Sequence, residues 1–417
     1  MGYTADMTNE RLSLPGQKIK VLLLEGIHAS AAKSFHEQGY EMVEQQQHAL
    51  SEEELLKIIP GVHILGIRSA TQITPAVIAA GTQLLAIGCF CIGTNQVDLQ
   101  AAKTAGIPVF NAPFSNTRSV AELVIGHIIY LLRGIHEKNA LAHQGKWLKS
   151  AKDSHEVRGK VLGVVGYGRI GTQVGILAEA FGMEVLFYDP AAKLTLGNAR
   201  LVASLPDLLA RADVVTLHVP ETADTRQMIG AKEIAQMKPG AKLINLSRGS
   251  IVDIAAAVAA LKNHQLGGGA FDVFPEEPPS NNHVFESDLR QFENVVLTPH
   301  IGGSTEEAQE NIGLEVAEKL ITYNDNGSTT MAVNFPDIDL PPQQGKHRIL
   351  HIHHNQPGIL AALNEHIAQT GNNIAGEYLR TDAEIGYVII DIDAKDGRFD
   401  LQALEAIPGT IKVRILY

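Results

Sequence analysis

The chain has 417 residues, 45% of them hydrophobic and 19% charged, with a formal net charge of −12. Such a length allows two or three domains with sizeable cores, and the composition is that of an ordinary soluble globular protein. The acidic balance argues against nucleic acid or an anionic membrane surface as the main partner, no run of about 18 apolar residues offers a membrane span, and Met1–Gln17 is polar, without a signal-peptide core.

Residues 1–17 read as a loose arm. A strand follows from Lys18 to near Glu25, then a helix over His28–Gln38 and a strand over Tyr40–Val43. Ser51, with three glutamates behind it, caps the next helix and sets the acids at its positive end. Val62–Ala70 is a strand that leaves Arg68 and Ser69 on the turn after it, and Thr74-Pro75 starts a helix. Leu84–Gly93 is a buried strand ending in the loop Ile92-Gly93-Thr94-Asn95, and Ile107–Asn111 is a short strand. Ligands of such sheets sit outside the carboxyl ends of the strands, where Arg68, Ser69, Ile92 and Gly93 fall. Cys89 and Cys91 share a face of their strand, too close and too parallel for an ordinary disulfide. They read as reduced core thiols in a cytoplasmic compartment.

Asn111–Glu122 leads into a long apolar helix through Arg133, read as the connection between domains. Trp147, among Lys146, Lys149 and Lys152, is either an exposed aromatic on a basic face or part of an active-site lip or subunit contact. The organising stretch is Lys160–Pro190. An apolar run, Val161–Val165, reads as a buried parallel strand. It breaks at Gly166-Tyr-Gly-Arg-Ile-Gly171, continues as a helix with Ile170, Val174, Leu177 and Ala178 on one face, and returns as a strand ending at Asp189. Gly166 permits the tight turn, Gly168 lets the backbone approach a pyrophosphate, and Gly171 lets helix lie close on strand. The helix start offers free N–H groups to phosphates. Asp189, about 20 residues on, can accept from a ribose diol and repels a 2′-phosphate, so NAD is favoured over NADP.

Further strands deliver polar residues at their carboxyl ends. These are His218-Val219-Pro220, Leu246-Ser247-Arg248, Asp272 with the Pro275-Glu276-Glu277-Pro278 run, and His300. A helix from Ser304 returns to the first domain, which makes that domain discontinuous across a hinge. Residues 335–345 are proline-rich and read as a linker. Beyond them the order β-α-β-β-α-β is ferredoxin-like; at about 70 residues it is small for a lone core and expected to pair with another copy.

Arg248, Glu277 and His300 form the chemical group. A guanidinium grips a carboxylate through parallel N–H···O bonds. A histidine can take a hydroxyl proton and return it. An adjacent carboxylate orients the ring and favours its protonated form. Hydride transfer between a nicotinamide and a 2-hydroxy acid needs this set.

The motifs RSATQIT, NAPFSNTRSVAEL, VVGYGRIG, NLSRGS, FDVFPEEP, TPHIGGST and HIHHNQPGIL carry a resemblance over essentially the whole chain beyond the first dozen residues. The chain resembles the D-isomer-specific 2-hydroxyacid dehydrogenases, in the bacterial form with a C-terminal ACT domain. The resemblance implies an α/β chain of two Rossmann-like doubly wound domains and a ferredoxin-like ACT domain. The boundaries are 1–116 with 304–336 for the substrate domain, 117–303 for the NAD domain, 337–345 for the linker and 346–417 for the ACT domain. It makes Arg248, Glu277 and His300 catalytic, with the histidine as general acid/base. It lines NAD with Arg169, Ile170, Asp189, Leu246, Ser247, Asp272, Gly302, Gly303, Ser304 and Thr305, beside the residues read above. It places Arg68, Ser69, Ile92, Gly93 and Asn116 on the substrate side. The implied reaction is oxidation of 3-phospho-D-glycerate to 3-phosphohydroxypyruvate, the first step of L-serine biosynthesis. The resemblance also implies side reduction of 2-oxoglutarate to 2-hydroxyglutarate, a homotetramer, and L-serine bound across paired ACT domains by His353, Asn355 and Asn373. Asn355 lies just before the Pro357 helix, whose start suits an amino-acid carboxylate.

His347, His351, His353 and His354 invite a metal reading. In a strand His351 and His353 share a face and His354 points away, which spoils a compact site, so no metal is expected. Either effector binding or a polar strand edge accounts for them. The rivals are dehydrogenases of lactate, glycerate or erythronate 4-phosphate, which the C-terminal unit disfavours. Formate dehydrogenases carry glutamine where Glu277 stands, and an NAD-sensing corepressor would lack the ACT unit.

Overall fold

The computed structural model describes residues 14–191, 193–278, 283–341, 347–393 and 401–416. Two compact units form, Met1–Pro113 with Gln309–Tyr417, and Phe114–Ala308.

The first unit opens with a five-stranded parallel sheet. Its strands are β1 (Lys20–Leu23), β2 (Met42–Gln45), β3 (Ile64–Ile67), β4 (Ala86–Cys89) and β5 (Val109–Asn111), in the order β2-β1-β3-β4-β5. The strand order reverses between β1 and β3, so the loops carrying Glu25 and Arg68 flank the switch point where such sheets bind ligands. The helix starts follow the sequence. Ser51 accepts from the Glu54 amide and Glu54 reaches back to the Ser51 amide at 2.9 Å, a reciprocal cap. Thr74 caps the helix that Pro75 opens.

The second unit holds seven parallel strands. They are β6 (Val161–Val165), β7 (Glu184–Tyr188), β8 (Arg200–Leu201), β9 (Val214–Leu217), β10 (Ala241–Asn245), β11 (Leu266–Phe271) and β12 (Val295–Leu297), in the order β12-β11-β10-β9-β6-β7-β8. The doubly wound reversal falls between β6 and β9, so the crevice opens where the Gly166 turn meets the His218 strand end. The helix Thr117–Arg133 buries Val120, Val124, Ile128 and Leu131 against this sheet's core. Among the described residues no single helix is long and apolar enough to cross a membrane. Thr117–Arg133 and Ile135–His143 reach that test only as a pair, bent by 71°.

The C-terminal sheet is antiparallel. Its strands are β13 (His347–His354), β14 (Asn373–Thr381), β15 (Ile385–Asp393) and β16 (Thr410–Leu416), in the order β14-β15-β13-β16. The helices Ile359–Gln369 and Leu401–Glu405 cover one face through Ile349, Leu363, Ile367, Val388 and Leu404. This is the ferredoxin-like arrangement expected. Its other face is not free-standing. Leu350, Ile352, Tyr387 and Ile389 enter one core with Val21, Leu23, Val316 and Leu320. Phe335, Ile338 and Leu340 are buried in that same core, so the first part of the expected linker packs rather than spans. Proline fixes its backbone, but alternate apolar side chains find a surface to cover. Residues 342–345 of that linker, and the first 13 of the N-terminal arm, lie outside the described residues.

Candidate active site

The glycine turn has the geometry its spacing requires. Gly166 has φ +89°, and a Cβ there would meet the His218 carbonyl oxygen at 2.5 Å. A Cβ on Gly171 would lie 2.2 Å from the Gly166 carbonyl oxygen, so helix Arg169–Ala180 seats on β6 only with glycine. In front of Gly168 there is open space, and the helix starts there without a side-chain cap. Free amides and a positive dipole end thus face a cavity of about 600 Å³, lined by Phe114, Thr117, Gly168, Arg169, Thr172 and Lys193. The Arg169 guanidinium lies 3.5 Å over the Phe114 ring. These residues fit a dinucleotide. Asp189 is partly engaged already. One oxygen accepts from the Tyr167 amide and the other from the Ala191 amide, both at 2.9 Å, which fixes the carboxylate and leaves lone pairs for ribose hydroxyls. Across the crevice His218 Nε2 pairs with Thr216 Oγ1 at 3.0 Å, and burial pushes its pKa down to about 3, so the ring is neutral. Its Nδ1 is buried with no hydrogen-bond partner among the described residues.

The same unit brings Arg248, Glu277 and His300 together. His300 Nδ1 stands 2.8 Å from Glu277 Oε2, and the Phe274 amide donates to the other oxygen of Glu277 at 3.1 Å. The hydrogen bond to Glu277 raises the His300 pKa against the opposing effect of burial. Burial pushes Glu277 up, yet the His300 hydrogen bond and charge, the Phe274 amide and the Arg248 charge hold it below its ordinary range. Arg248 follows β10 and donates from Nη1 to the Ser247 carbonyl at 2.7 Å. Gly249 makes this approach possible, because a Cβ there would lie 2.0 Å from the Phe274 carbonyl carbon.

Supporting residues were invisible to spacing alone. Buried Asn245 accepts from Ser247 N and Oγ at 3.1 and 2.9 Å and donates to the Arg248 carbonyl at 2.9 Å, so it shapes the turn that presents Arg248. Asp272 was read as a cofactor contact. Its buried carboxylate accepts from Thr298 Oγ1 at 2.6 Å and from the Ile301 and Gly302 amides at 2.8 Å. That cage fixes the loop on which His300 adopts φ +54°. Gly302 and Gly303 follow, and Gly303 sits against Asn116, where a Cβ would meet Nδ2 at 2.5 Å. Ser119 and Thr305 hydroxyls lie 2.7 Å apart. Asn116, read on the substrate side, thus falls in the unit that carries His300.

Arg68 and Ser69 follow β3 at the switch point of the first sheet, and Ile92 and Gly93 follow its neighbour β4. Glu25 accepts from the Ala70 and Thr71 amides at 2.9 and 2.8 Å. Buried Gln96 donates from Nε2 to the carbonyls of Arg68 at 2.5 Å and Gly93 at 3.2 Å, stapling both loops. Ser69 is exposed and Arg68 half-buried, its Nη1 donating to the Glu25 carbonyl at 3.5 Å.

Known proteins resemble the chain along its length. Residues 125–302 match the model of the D-isomer specific 2-hydroxyacid dehydrogenase NAD-binding domain, and residues 349–412 match the AHAS small subunit-like ACT domain. D-3-phosphoglycerate dehydrogenase of Escherichia coli (strain K12) is 58% identical over 98% of this chain and 100% of its own. The chain belongs to the D-isomer-specific 2-hydroxyacid dehydrogenases. The Haemophilus influenzae D-3-phosphoglycerate dehydrogenase is 55% identical over 99% of this chain and 100% of its own. A D-lactate dehydrogenase from Aquifex aeolicus, solved with NAD and lactic acid, is 26% identical, covers 73% of this chain and 95% of its own, and superposes with a TM-score of 0.64. This dehydrogenase is an NAD-dependent oxidoreductase with a C-terminal ACT domain.

Within the dehydrogenase's ACT sheet, His351 and His353 are buried on the same face, their Nδ1 atoms 3.3 Å apart, and His354 is exposed. β13 is a central strand, so the alternative of a polar strand edge is overturned. Burial pushes the His351 pKa down to about 4, and its Nε2 meets Thr410 Oγ1 at 2.9 Å. Asn355 donates to the Asp382 carbonyl at 2.7 Å. Asn373 is far from both. It pairs with Asp393 at one end of β15, whereas His354 pairs with Ile385 at the other, about 25 Å away along the strand. Trp147 is 88% exposed. Cys89 is buried and Cys91 half-buried, and the Cys91 thiol donates to the Gly93 carbonyl at 3.1 Å.

Proposed function

We propose that this dehydrogenase oxidises 3-phospho-D-glycerate to 3-phosphohydroxypyruvate in the cytoplasm, as the first step of L-serine biosynthesis. The observation that carries the reading is the 2.8 Å pairing of His300 with Glu277 beside Arg248 at the strand ends of an NAD domain. The phosphoglycerate dehydrogenases of Escherichia coli and Haemophilus influenzae support the substrate.

Glu277, held below its ordinary pKa, is a carboxylate, so the shared proton sits on His300 Nδ1 and Nε2 presents its lone pair. Nε2 takes the C2 hydroxyl proton in oxidation and returns it in reduction. Arg248 grips the substrate carboxylate in two parallel bonds and polarises the neighbouring carbon–oxygen bond. Bound NAD supplies the hydride acceptor. Gly168, Arg169 and Ile170 hold its pyrophosphate, Asp189 its ribose, and the strand ends at His218–Pro220, Leu246–Ser247 and Gly302–Thr305 the remainder. Arg68 and Ser69, steadied by Glu25 and Gln96, take the substrate phosphate.

L-serine is the feedback inhibitor in this reading. His353 and Asn355 form one half of its site. The register that separates them from Asn373 supports a site completed by Asn373 of a second copy, within a homotetramer. Reduction of 2-oxoglutarate to 2-hydroxyglutarate is a side activity of the same Arg248–His300 pair.

The test is NADH consumption by the purified protein with 3-phosphohydroxypyruvate, hydroxypyruvate and pyruvate in parallel, with and without L-serine. Preference for the phosphorylated acid, suppressed by serine, is expected. Equal use of all three would remove the phosphate-specific reading.

A further inference from the structure

The turn joining β14 to β15 is clasped by the first sheet's own layer. The Lys103 ammonium lies 2.8 Å from Asp382 Oδ2 and 2.9 Å from Glu384 Oε2. Lys103 belongs to the helix Leu99–Thr104, and its side chain is only 17% exposed. Gln100, on the same helix, donates to Glu384 Oε2 at 3.2 Å. All these groups fall in one compact unit.

The turn is stiff on its other side too. The second oxygen of Asp382 accepts from the Glu384 and Ile385 amides at 2.8 and 2.9 Å. Asn355 is bound to this turn twice. Its side chain donates to the Asp382 carbonyl at 2.7 Å and its backbone amide to the Glu384 carbonyl at 2.8 Å. At the far end, Asp98 caps the Lys103 helix through the Ala101 amide at 2.8 Å. Two residues before it stands Gln96, the staple between the Arg68 and Gly93 loops. Hydrogen bonds and one short helix therefore run without a break from the effector loop to the substrate loops.

Lysine chemistry makes the clasp decisive for that path. One ammonium with three donors serves two carboxylates, and among the described residues no other cation forms an ion pair with either. Without it, two like charges stand side by side on a tight turn and push it open.

We propose that Lys103 is a positioning residue of the regulatory machinery. Its grip on Asp382 and Glu384 sets Asn355 and carries effector occupancy to the Gln96 staple. This rests on the reading of Asn355 as part of an L-serine site.

The test uses the full chain and titrates L-serine against turnover of 3-phosphohydroxypyruvate. The variants are Lys103→Met, the pair Asp382→Asn with Glu384→Gln, all three together, Lys103→Arg, and Asn355→Ala. Lys103→Met and the carboxylate pair are each expected to keep turnover and KM without serine and to raise the half-inhibitory serine concentration about fivefold or more. The triple variant should show no further rise, because both sides belong to one linkage. Lys103→Arg should stay near the parent. The carboxylate pair removes the clasp with nearly unchanged shape, so it decides the matter if Lys103→Met does not fold. Serine inhibition relieved by Asn355→Ala but unchanged by Lys103→Met and the carboxylate pair would overturn the clasp alone. A parent enzyme indifferent to serine would overturn the effector site and the clasp with it.

Discussion

His300 is raised above its ordinary 6.5 by the Glu277 hydrogen bond first, and this fixes the sign of the pH dependence. On the proposed proton transfer, reduction needs the protonated ring and oxidation the neutral one. The alkaline limb of reduction and the acid limb of oxidation therefore both lie above the ordinary histidine value. Glu277→Gln keeps an acceptor but removes the charge, so the His300 pKa falls and both limbs move to lower pH. kcat/KM profiles in the two directions check this, and unmoved limbs would detach Glu277 from His300. Arg248→Lys replaces a planar fork by a point charge, and kcat/KM should fall roughly a hundredfold or more. Near-parental turnover would sink the carboxylate clamp. At this scale the grouping of Arg248, Glu277 and His300 was legible because each follows a strand of one cofactor domain. Asn245, Glu25 and Gln96 were not. Their partners are set by how strand ends meet, and a pair such as Gln96 and Arg68, 28 residues apart, leaves no mark in local spacing.

The elements show where sequence carries geometry directly. The turn Gly166–Gly171 was readable because each glycine answers a separate steric demand, and the structure places a backbone oxygen where two of the three side chains would be. Gly171→Ala should weaken NADH binding at least about tenfold, since helix and strand must part and the amide cradle moves. Fluorescence titration of NADH measures it, and unchanged affinity would mean the turn does not hold the cofactor. The His300 loop was half readable. Its TPHIGG motif marked the histidine and the glycines, but not the Asp272 carboxylate that wraps them, 30 residues away from Gly302. Likewise the alternation of His351 and His353 on one strand face was legible, while the central position of β13 in its sheet was not, because strand order depends on crossovers that periodicity does not encode.

Across the molecule, the shared core of the first and C-terminal sheets is the least legible feature. A proline-rich run and a small ferredoxin-like order suggest a tethered unit. The side chains that join it, such as Leu350 and Ile352, look in sequence like any alternate face of a strand. Leu350→Ala should cost about 2–5 kcal/mol, because the void opens in a core common to both sheets. Amide exchange should then speed up together in β1 and in β13. Faster exchange confined to the C-terminal sheet would contradict the common core.

The most direct measurement is kcat for 3-phosphohydroxypyruvate reduction by His300→Ala, taken beside its NADH dissociation constant. We expect kcat to fall about 10²–10⁴-fold, the usual worth of a general acid, with NADH affinity within a few fold of the parent. A kcat close to the parent's would remove His300 from the proton transfer and contradict the chemistry assigned to this site.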